Sequence, residues 1–309
     1  MAHLPLGETQ ELTTYRKIAI AAWRHPRDPS TYSWLDLPVE AAEAFLKTFP
    51  GGAGAPPRPS LTHYIAKIVA HCLEEHPELN HLLRRDRLQR RQRTDVFITT
   101  LLKTASAADL SGFPIRDAAR LSLAEIARLS ADAVDRLRDG TDDATVRTAR
   151  VTERLPVWLL RLAMRAQDFA HFTLNVSLRP FGLPDDRFGS VMISNFGVLG
   201  IDNALVPLSP YCRTPLMIGV GRPRPIPVAR GGEVVVAECV TISFTFDHRY
   251  ADGVHGGLLM RQFQKIFLNP HRYPAVFAGV SAAAADAQEA AVDAAENAET
   301  LSGAARPAT

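Results

Sequence analysis

In the stretch Ser243-Phe244-Thr245-Phe246-Asp247-His248-Arg249-Tyr250-Ala251-Asp252-Gly253, strict alternation gives way to a turn. Ile242, Phe244 and Phe246 alternate with Thr241, Ser243 and Thr245, a period of two that gives one apolar face to a strand over residues 233–246. Asp252-Gly253 marks a turn, and a helix over residues 254–267 follows until Asn269-Pro270 ends it. His248 therefore stands just past the end of a strand, where a rigid backbone holds a side chain well enough for proton transfer. Taken alone, His-x-x-x-Asp is a weak signal, because such pairs more often cap helices or lie on surfaces.

Working outward, residues 188–195 and 215–220 read as further strands broken by Gly and Pro turns. The first half of the chain is richer in helix. A helix at residues 16–23 is stopped by Pro26 and Pro29, and a strand over 31–37 puts Tyr32, Trp34 and Asp36 on one side. A helix over 39–49 and a Gly/Pro-rich loop over 51–59 follow. Ser60 then caps a helix over 61–75, in which Leu61, Ile65, Ile68, Val69 and Leu73 form one stripe. A Thr/Val/Ile-rich strand spans 95–102. Residues 120–137 hold an amphipathic helix with Ser122 and Glu125 in capping-box spacing. Residues 140–149 are a polar loop, and 156–172 form another helix. Beyond Pro274 the chain is Ala-rich and acidic, with too few large apolar residues to bury surface. Residues 275–309 therefore read as a disordered tail behind a single unit over 1–274.

With 309 residues the chain can bury a sizeable core, and a formal net charge of +2 gives no electrostatic case for nucleic acid. Cys72, Cys212 and Cys239 lie far apart without CxxC spacing, which argues against a disulfide framework or a zinc site and for thiols in a reducing compartment. No metal is expected. There is no secretory pattern at the N-terminus, and no apolar run approaches the roughly 18 residues a membrane span needs. The default is a soluble, cytoplasmic protein with no membrane attachment.

The stretch around His248 resembles the signature of the 2-oxoacid dehydrogenase acyltransferase catalytic domain, part of the chloramphenicol acetyltransferase-like superfamily. Val191-Met192-Ile193-Ser194-Asn195-Phe196-Gly197 is similar to the family's "TISNLG" segment, and Leu216-Met217-Ile218-Gly219-Val220-Gly221 to its "AILGVG" strand. Tyr64-Ile65-Ala66-Lys67, Pro77-Glu78-Leu79-Asn80 and Ser122-Leu123-Ala124-Glu125-Ile126-Ala127 recur in the family's order, and Arg16-Lys17-Ile18-Ala19 resembles its entry helix. The resemblance implies an α/β fold, a two-layer sandwich of chloramphenicol acetyltransferase type with a mixed sheet flanked by helices. It implies coenzyme A, or acyl-CoA, as substrate. His248 would be the general base, Ser194 a hydrogen-bond donor to the oxyanion, and Asp252 a carboxylate holding the geometry. Arg16 would be the salt-bridge partner of Asp252, with Arg24 the alternative if the alignment slips. It further implies a homotrimer, or a multiple of trimers, with His248 and Ser194 brought together from two subunits.

Two departures from the family stand out. No lipoyl group or lipoyl-bearing segment is visible on this chain, so the acceptor is either a lipoyl domain in trans or a different molecule. Residues 147–186 read as a helical insertion, with Arg161, Arg165 and Asp168 on one face and Trp158, Leu159, Leu162 and Phe169 over the rest. Subunit packing is the plainer use of that helix; a lid or a membrane contact is the sharper one. The cluster Arg84, Arg85, Arg87, Arg90, Arg91 and Arg93 reads as a solvated face, with attraction of coenzyme A phosphates the sharper alternative. His171 and His255 read as packing or surface residues. Three functions stay open: acyl transfer between CoA and a thiol such as dihydrolipoyl, a non-catalytic trimeric scaffold, and O-acylation of a small diffusible hydroxyl compound.

Overall fold

The computed structural model describes residues 6–9, 28–51, 56–103, 108–139, 156–181, 183 and 186–279. Among these, a mixed sheet runs in the order β2 (Ser30–Pro38), β10 (Glu233–Asp247), β8 (Leu216–Val220), β7 (Val191–Asn195), β5 (Val96–Lys103), β6 (Ala108–Ile115), and β9 (Arg224–Arg230) pairs with the first half of β10. β7 lies parallel to both β5 and β8, and the other pairs are antiparallel. A small antiparallel sheet joins β1 (Leu6–Thr9), β4 (Arg87–Arg91) and β3 (His81–Arg84). The helices are α1 (Glu40–Lys47), α2 (Leu61–Glu75), α3 (Leu123–Arg138), α4 (Val157–Asp168), α5 (Gly253–Leu268) and the short α6 (Pro274–Ala278). The expected mixed sheet flanked by helices is what forms.

The alternation in β10 has the predicted consequence on one face. Ile242, Phe244 and Phe246 join the main core with Ile65, Ile68 and Leu73 of α2 and Leu259, Phe263 and Phe267 of α5. Phe244 meets Phe263 edge to face at 5.3 Å. The other face departs from a simple wet side. Thr241, Ser243 and Thr245 are all buried, because the segment after β7 folds back over the sheet. Ser243 donates to the Ala204 carbonyl at 2.6 Å, and Val206 and Leu208 pack on Phe97, Met192, Cys212 and Met217. Close passage of that segment needs Gly221, where a Cβ would stand 1.9 Å from the Asp202 carbonyl oxygen.

Capping follows the sequence closely. Ser60 starts α2, and Ser122 with Glu125 forms a full capping box at α3. The unit does not end at Pro274, however. Val276 and Phe277 of α6 are buried in the core, with Phe277 stacked on Tyr64 at 5.1 Å, so residues 275–279 belong to the folded unit rather than to a tail. Five strands escaped the pattern, β1 among them. The hairpin of β3 and β4 is too charged to show alternation. β6 carries Pro114, and β9 carries Pro225 and Pro227, which an edge strand tolerates.

The arginine cluster is not simply a solvated face. Arg91 is buried and paired with Asp186, and Arg84 donates to the carbonyls of Phe172 and Thr173 at 2.9 and 3.1 Å, while Arg85, Arg87 and Arg90 stay exposed. The helix read over 156–172 is α-helical to Asp168 and ends in a wider turn, where Leu174 N–H donates to the Phe169 carbonyl. Asp168 grips Arg213 through two bonds of 2.9 and 2.6 Å, and Trp158, Leu162 and Phe169 are exposed. The helix expected at 16–23 and the loop at 140–149 lie outside the described residues.

Candidate active site

His248 follows directly on β10, and its neighbours are clamped from several sides. Asp247 N–H donates to the Pro215 carbonyl and His248 N–H to the Pro29 carbonyl, each at 2.9 Å. The buried Asp247 carboxylate accepts from the Arg249 guanidinium at 2.6 to 3.2 Å and from Arg249 N–H at 3.0 Å. Burial pulls the Arg249 guanidinium down, and the hydrogen bonds and charge of Asp247 more than offset it, so it stays firmly protonated. Tyr250 is buried against Leu83 and Leu88, and its hydroxyl accepts from Leu83 N–H at 2.9 Å, tying the turn to the β3 and β4 hairpin.

On the far side of the turn, Asp252 caps α5, accepting from Val254 N–H at 3.0 Å and His255 N–H at 3.2 Å. His255 Nδ1 lies 2.6 Å from the same carboxylate. Burial raises the Asp252 carboxyl, but the His255 contacts and Val254 N–H outweigh it, and the net shift is downward. Asp252 is thus ionised at neutral pH and engaged with His255 and the helix terminus. Arg16 and Arg24, the expected partners, lie outside the described residues.

The geometry also fixes the imidazole. His248 Nδ1 is 3.0 Å from the Ala251 carbonyl oxygen. A carbonyl oxygen only accepts, so Nδ1 carries the hydrogen and the ring's lone pair is on Nε2, the tautomer a general base needs.

Ser194 stands near the end of β7. Thr99 of β5 donates its hydroxyl hydrogen to Ser194 Oγ at 3.1 Å, which leaves the Ser194 hydrogen to be given elsewhere. Next to it Asn195 Nδ2 donates to Thr62 Oγ1 at 2.9 Å. Ser194 lines a cavity of about 410 Å³ at the carboxyl ends of the parallel strands β5 and β7, closed by the start of α2 and by α3. His63 lines it too. Its Nδ1 accepts from Ser60 N–H at 3.1 Å within a capping box, and burial lowers its pKa to about 4, so it is neutral at physiological pH. Ser130, buried on α3, has a hydroxyl without a hydrogen-bond partner.

One chain does not bring His248 and Ser194 together. Ser194 is in register with Gly219 of β8, and Gly219 with Ser243 of β10. His248 is five residues further along the chain from Ser243, which at about 3.4 Å per strand residue amounts to about 17 Å. Thr99, His63 and the clamp of Asp247, Arg249 and Tyr250 were not singled out from sequence. For Asp247 and Arg249 the signal was adjacency to His248; for Thr99 and His63 there was none. Among the described residues no group of three His, Cys, Asp or Glu side chains could hold a metal ion, and no helix is long and apolar enough to cross a membrane.

Residues 159–274 match the family model described as 2-oxoacid dehydrogenases acyltransferase (catalytic domain), a stretch that contains Ser194, His248 and Asp252 and begins inside the segment read as an insertion. The resemblance read from the motifs holds across it. The dihydrolipoyllysine-residue acetyltransferase component of the pyruvate dehydrogenase complex of Rhizobium meliloti is 33% identical over 82 residues, 26% of this chain and 18% of that protein. The chain therefore spans a minor part of that relative's length. Among solved structures, a probable dihydrolipoamide acetyltransferase from Listeria monocytogenes superposes with a TM-score of 0.56 at 14% identity, covering 84% of this chain and 94% of the other. Azotobacter vinelandii dihydrolipoamide acetyltransferase, in a structure titled for the roles of a serine, a histidine and an asparagine in its catalytic mechanism, superposes with a TM-score of 0.55 at 17% identity, covering 86% and 94%. The fold is shared with these cores.

Proposed function

We propose that this chain is a coenzyme-A-dependent acyltransferase in which His248 is the general base. The observation that carries the reading is the tautomer of His248, set by the Ala251 carbonyl at the end of the longest strand. A thiol is largely protonated at neutral pH, so a placed imidazole lone pair is what makes it a nucleophile. His248 Nε2 takes the proton from the attacking thiol or hydroxyl as that atom adds to the acyl carbonyl. The carbonyl oxygen becomes an oxyanion that accepts from the Ser194 hydroxyl, a donor worth about 3 kcal/mol in a dry site. As the tetrahedral adduct collapses, the imidazolium returns the proton to the departing group. The reaction runs either way, with CoA as donor or as acceptor of the acyl group. Asp252 positions the turn through the α5 terminus and does not touch substrate.

Because Ser194 and His248 lie about 17 Å apart along the sheet, a working site takes the histidine of one chain and the serine of another, which supports a closed trimer or a multiple of trimers. The acceptor is a thiol such as a dihydrolipoyl group, and three buried free cysteines suit a reducing cytoplasm. Thiol release from acetyl-CoA with dihydrolipoamide, and in parallel with small hydroxyl acceptors, tests the reading. Wild-type turnover that falls at least 100-fold in His248→Ala supports it. Turnover that survives that substitution, or no transfer to any acceptor, would sink it.

A further inference from the structure

Next to Ser194 the structure offers more room than a two-carbon acyl group needs, and we infer that the cavity at the carboxyl ends of β5 and β7 receives the acyl chain of a medium-length acyl-CoA, about six to ten carbons. The inference rests on the acyltransferase reading and names the substrate class of that site. Its first support is size. A cavity of about 410 Å³ is many times the roughly 10–15 Å³ that one water-sized group needs, far more than an acetyl group requires.

The second support is the chemistry of the wall. Apolar side chains, among them Ile98, Phe113, Ala131, Val134 and Leu199, supply most of the lining surface, although half of the lining residues are polar. The polar groups beside them are committed to one another: Thr99 to Ser194, Asn195 to Thr62, His63 to Ser60. Asp135 and Arg138, also in the lining, are exposed on α3 and so mark the mouth. Few donors are left over: the Ser194 hydrogen, which the acyl oxygen takes, the His63 Nε2–H and the buried Ser130 hydroxyl, too few to serve the amides and phosphates of the coenzyme itself. A neutral His63 adds no fixed charge to the interior. What remains suited to the space is hydrocarbon.

The third support is position. The hydroxyl expected to hold the acyl oxygen lines this cavity, so a carbonyl bound there has its chain beside the opening. Apolar burial is worth about a fourfold gain in kcat/KM per methylene.

The test compares acetyl-, butyryl-, hexanoyl- and octanoyl-CoA with a fixed dihydrolipoamide acceptor, for the wild type and for Ala131→Phe, which fills the cavity from α3. Equilibrium binding of acetyl- and octanoyl-CoA is measured alongside. The expected result is kcat/KM rising by about fourfold per methylene toward octanoyl, with Ala131→Phe losing at least tenfold on octanoyl and far less on acetyl. A wild type that favours acetyl overturns the proposal. So does an equal loss on every chain length in Ala131→Phe, which would mean that the cavity holds the shared coenzyme portion, or no loss at all. Should Ala131→Phe unfold, Val134→Phe replaces it. If no acyl-CoA turns over, the acyltransferase reading fails by itself. The cavity is then judged by binding, and octanoyl-CoA binding no tighter than acetyl-CoA would still overturn the inference.

Discussion

His248→Ala and Ser194→Ala, each inactive alone, are expected to restore one another when their chains assemble together. Removing the base is expected to cost about 10²–10⁴ in rate, and removing one oxyanion donor about 10²–10³. Within a chain, Ser194 is in register with Ser243, and the five residues from there to His248 span about 17 Å against a hydrogen-bond reach of about 3 Å. No side-chain rotation closes that gap, so a site must borrow across chains. If the two variants are co-expressed with different tags and isolated on both, each closed ring contains both kinds of chain. In a ring of three, one of its three junctions pairs an intact histidine with an intact serine, so about a third of wild-type turnover returns; a ring of two would return about half. The assay is thiol release by the doubly tagged oligomer, beside each variant alone. A doubly tagged oligomer no more active than the mean of the two single variants would refute the shared site.

Other perturbations test the parts that hold this arrangement. Burial keeps His63 neutral, with its pKa near 4 against 6.5 when unfolded, so the unfolded state binds more protons between those values. Stability from this group is complete above pH 6.5 and declines as pH falls toward 4, by up to about 3 kcal/mol. His63→Gln keeps a capping-box side chain without titrating; urea unfolding at pH 7 and 4.5 should show a smaller acid loss for it than for wild type, and an equal loss would count against this account. Tyr250→Phe leaves Leu83 N–H buried without its acceptor and is expected to cost about 1–3 kcal/mol and to lower kcat through the turn that carries His248; unchanged melting and kcat would show the tie to be idle. Gly221→Ala puts a methyl group 1.9 Å from the Asp202 carbonyl, so the segment after β7 must lift away; the expected readout is faster proteolysis between residues 197 and 212, and a cleavage pattern like the wild type's would refute the packing argument.

What could be read in advance depended on whether the physical signal was local. Alternation in β10, the Ser60 and Ser122 caps and the Asp252-Gly253 helix start are set by neighbours in sequence, and they came through. Arg91 reads as one more exposed cation until the fold brings Asp186 against it, 95 residues away. Val276 and Phe277 look like stray apolar residues at the head of an alanine tract until the core takes both in, with Phe277 against Tyr64 and Phe45. Thr241 and Ser243 show why composition misleads on a two-sided sheet: short hydroxylated side chains can be buried because a carboxylate such as that of Asp36 or a carbonyl such as that of Ala204 comes to meet them. Nothing in a window of ten residues encodes those encounters.

The separation of Ser194 from His248 follows from the same long strand that made the histidine legible. β10 pairs with β2 along nine residues and with β8 along five, so it cannot bend to deliver its end to the row that Ser194 occupies. A loop histidine could have been imagined swinging toward the serine. Here His248 N–H is bonded to Pro29, Asp247 N–H to Pro215, and Tyr250 to the β3 and β4 hairpin, which removes that freedom. The rigidity that fixes the tautomer of the base also forbids an internal site. If His248 and Ser194 act in one reaction, the chain must act with a second copy of itself, and a monomer that retained full turnover would separate the two residues for good.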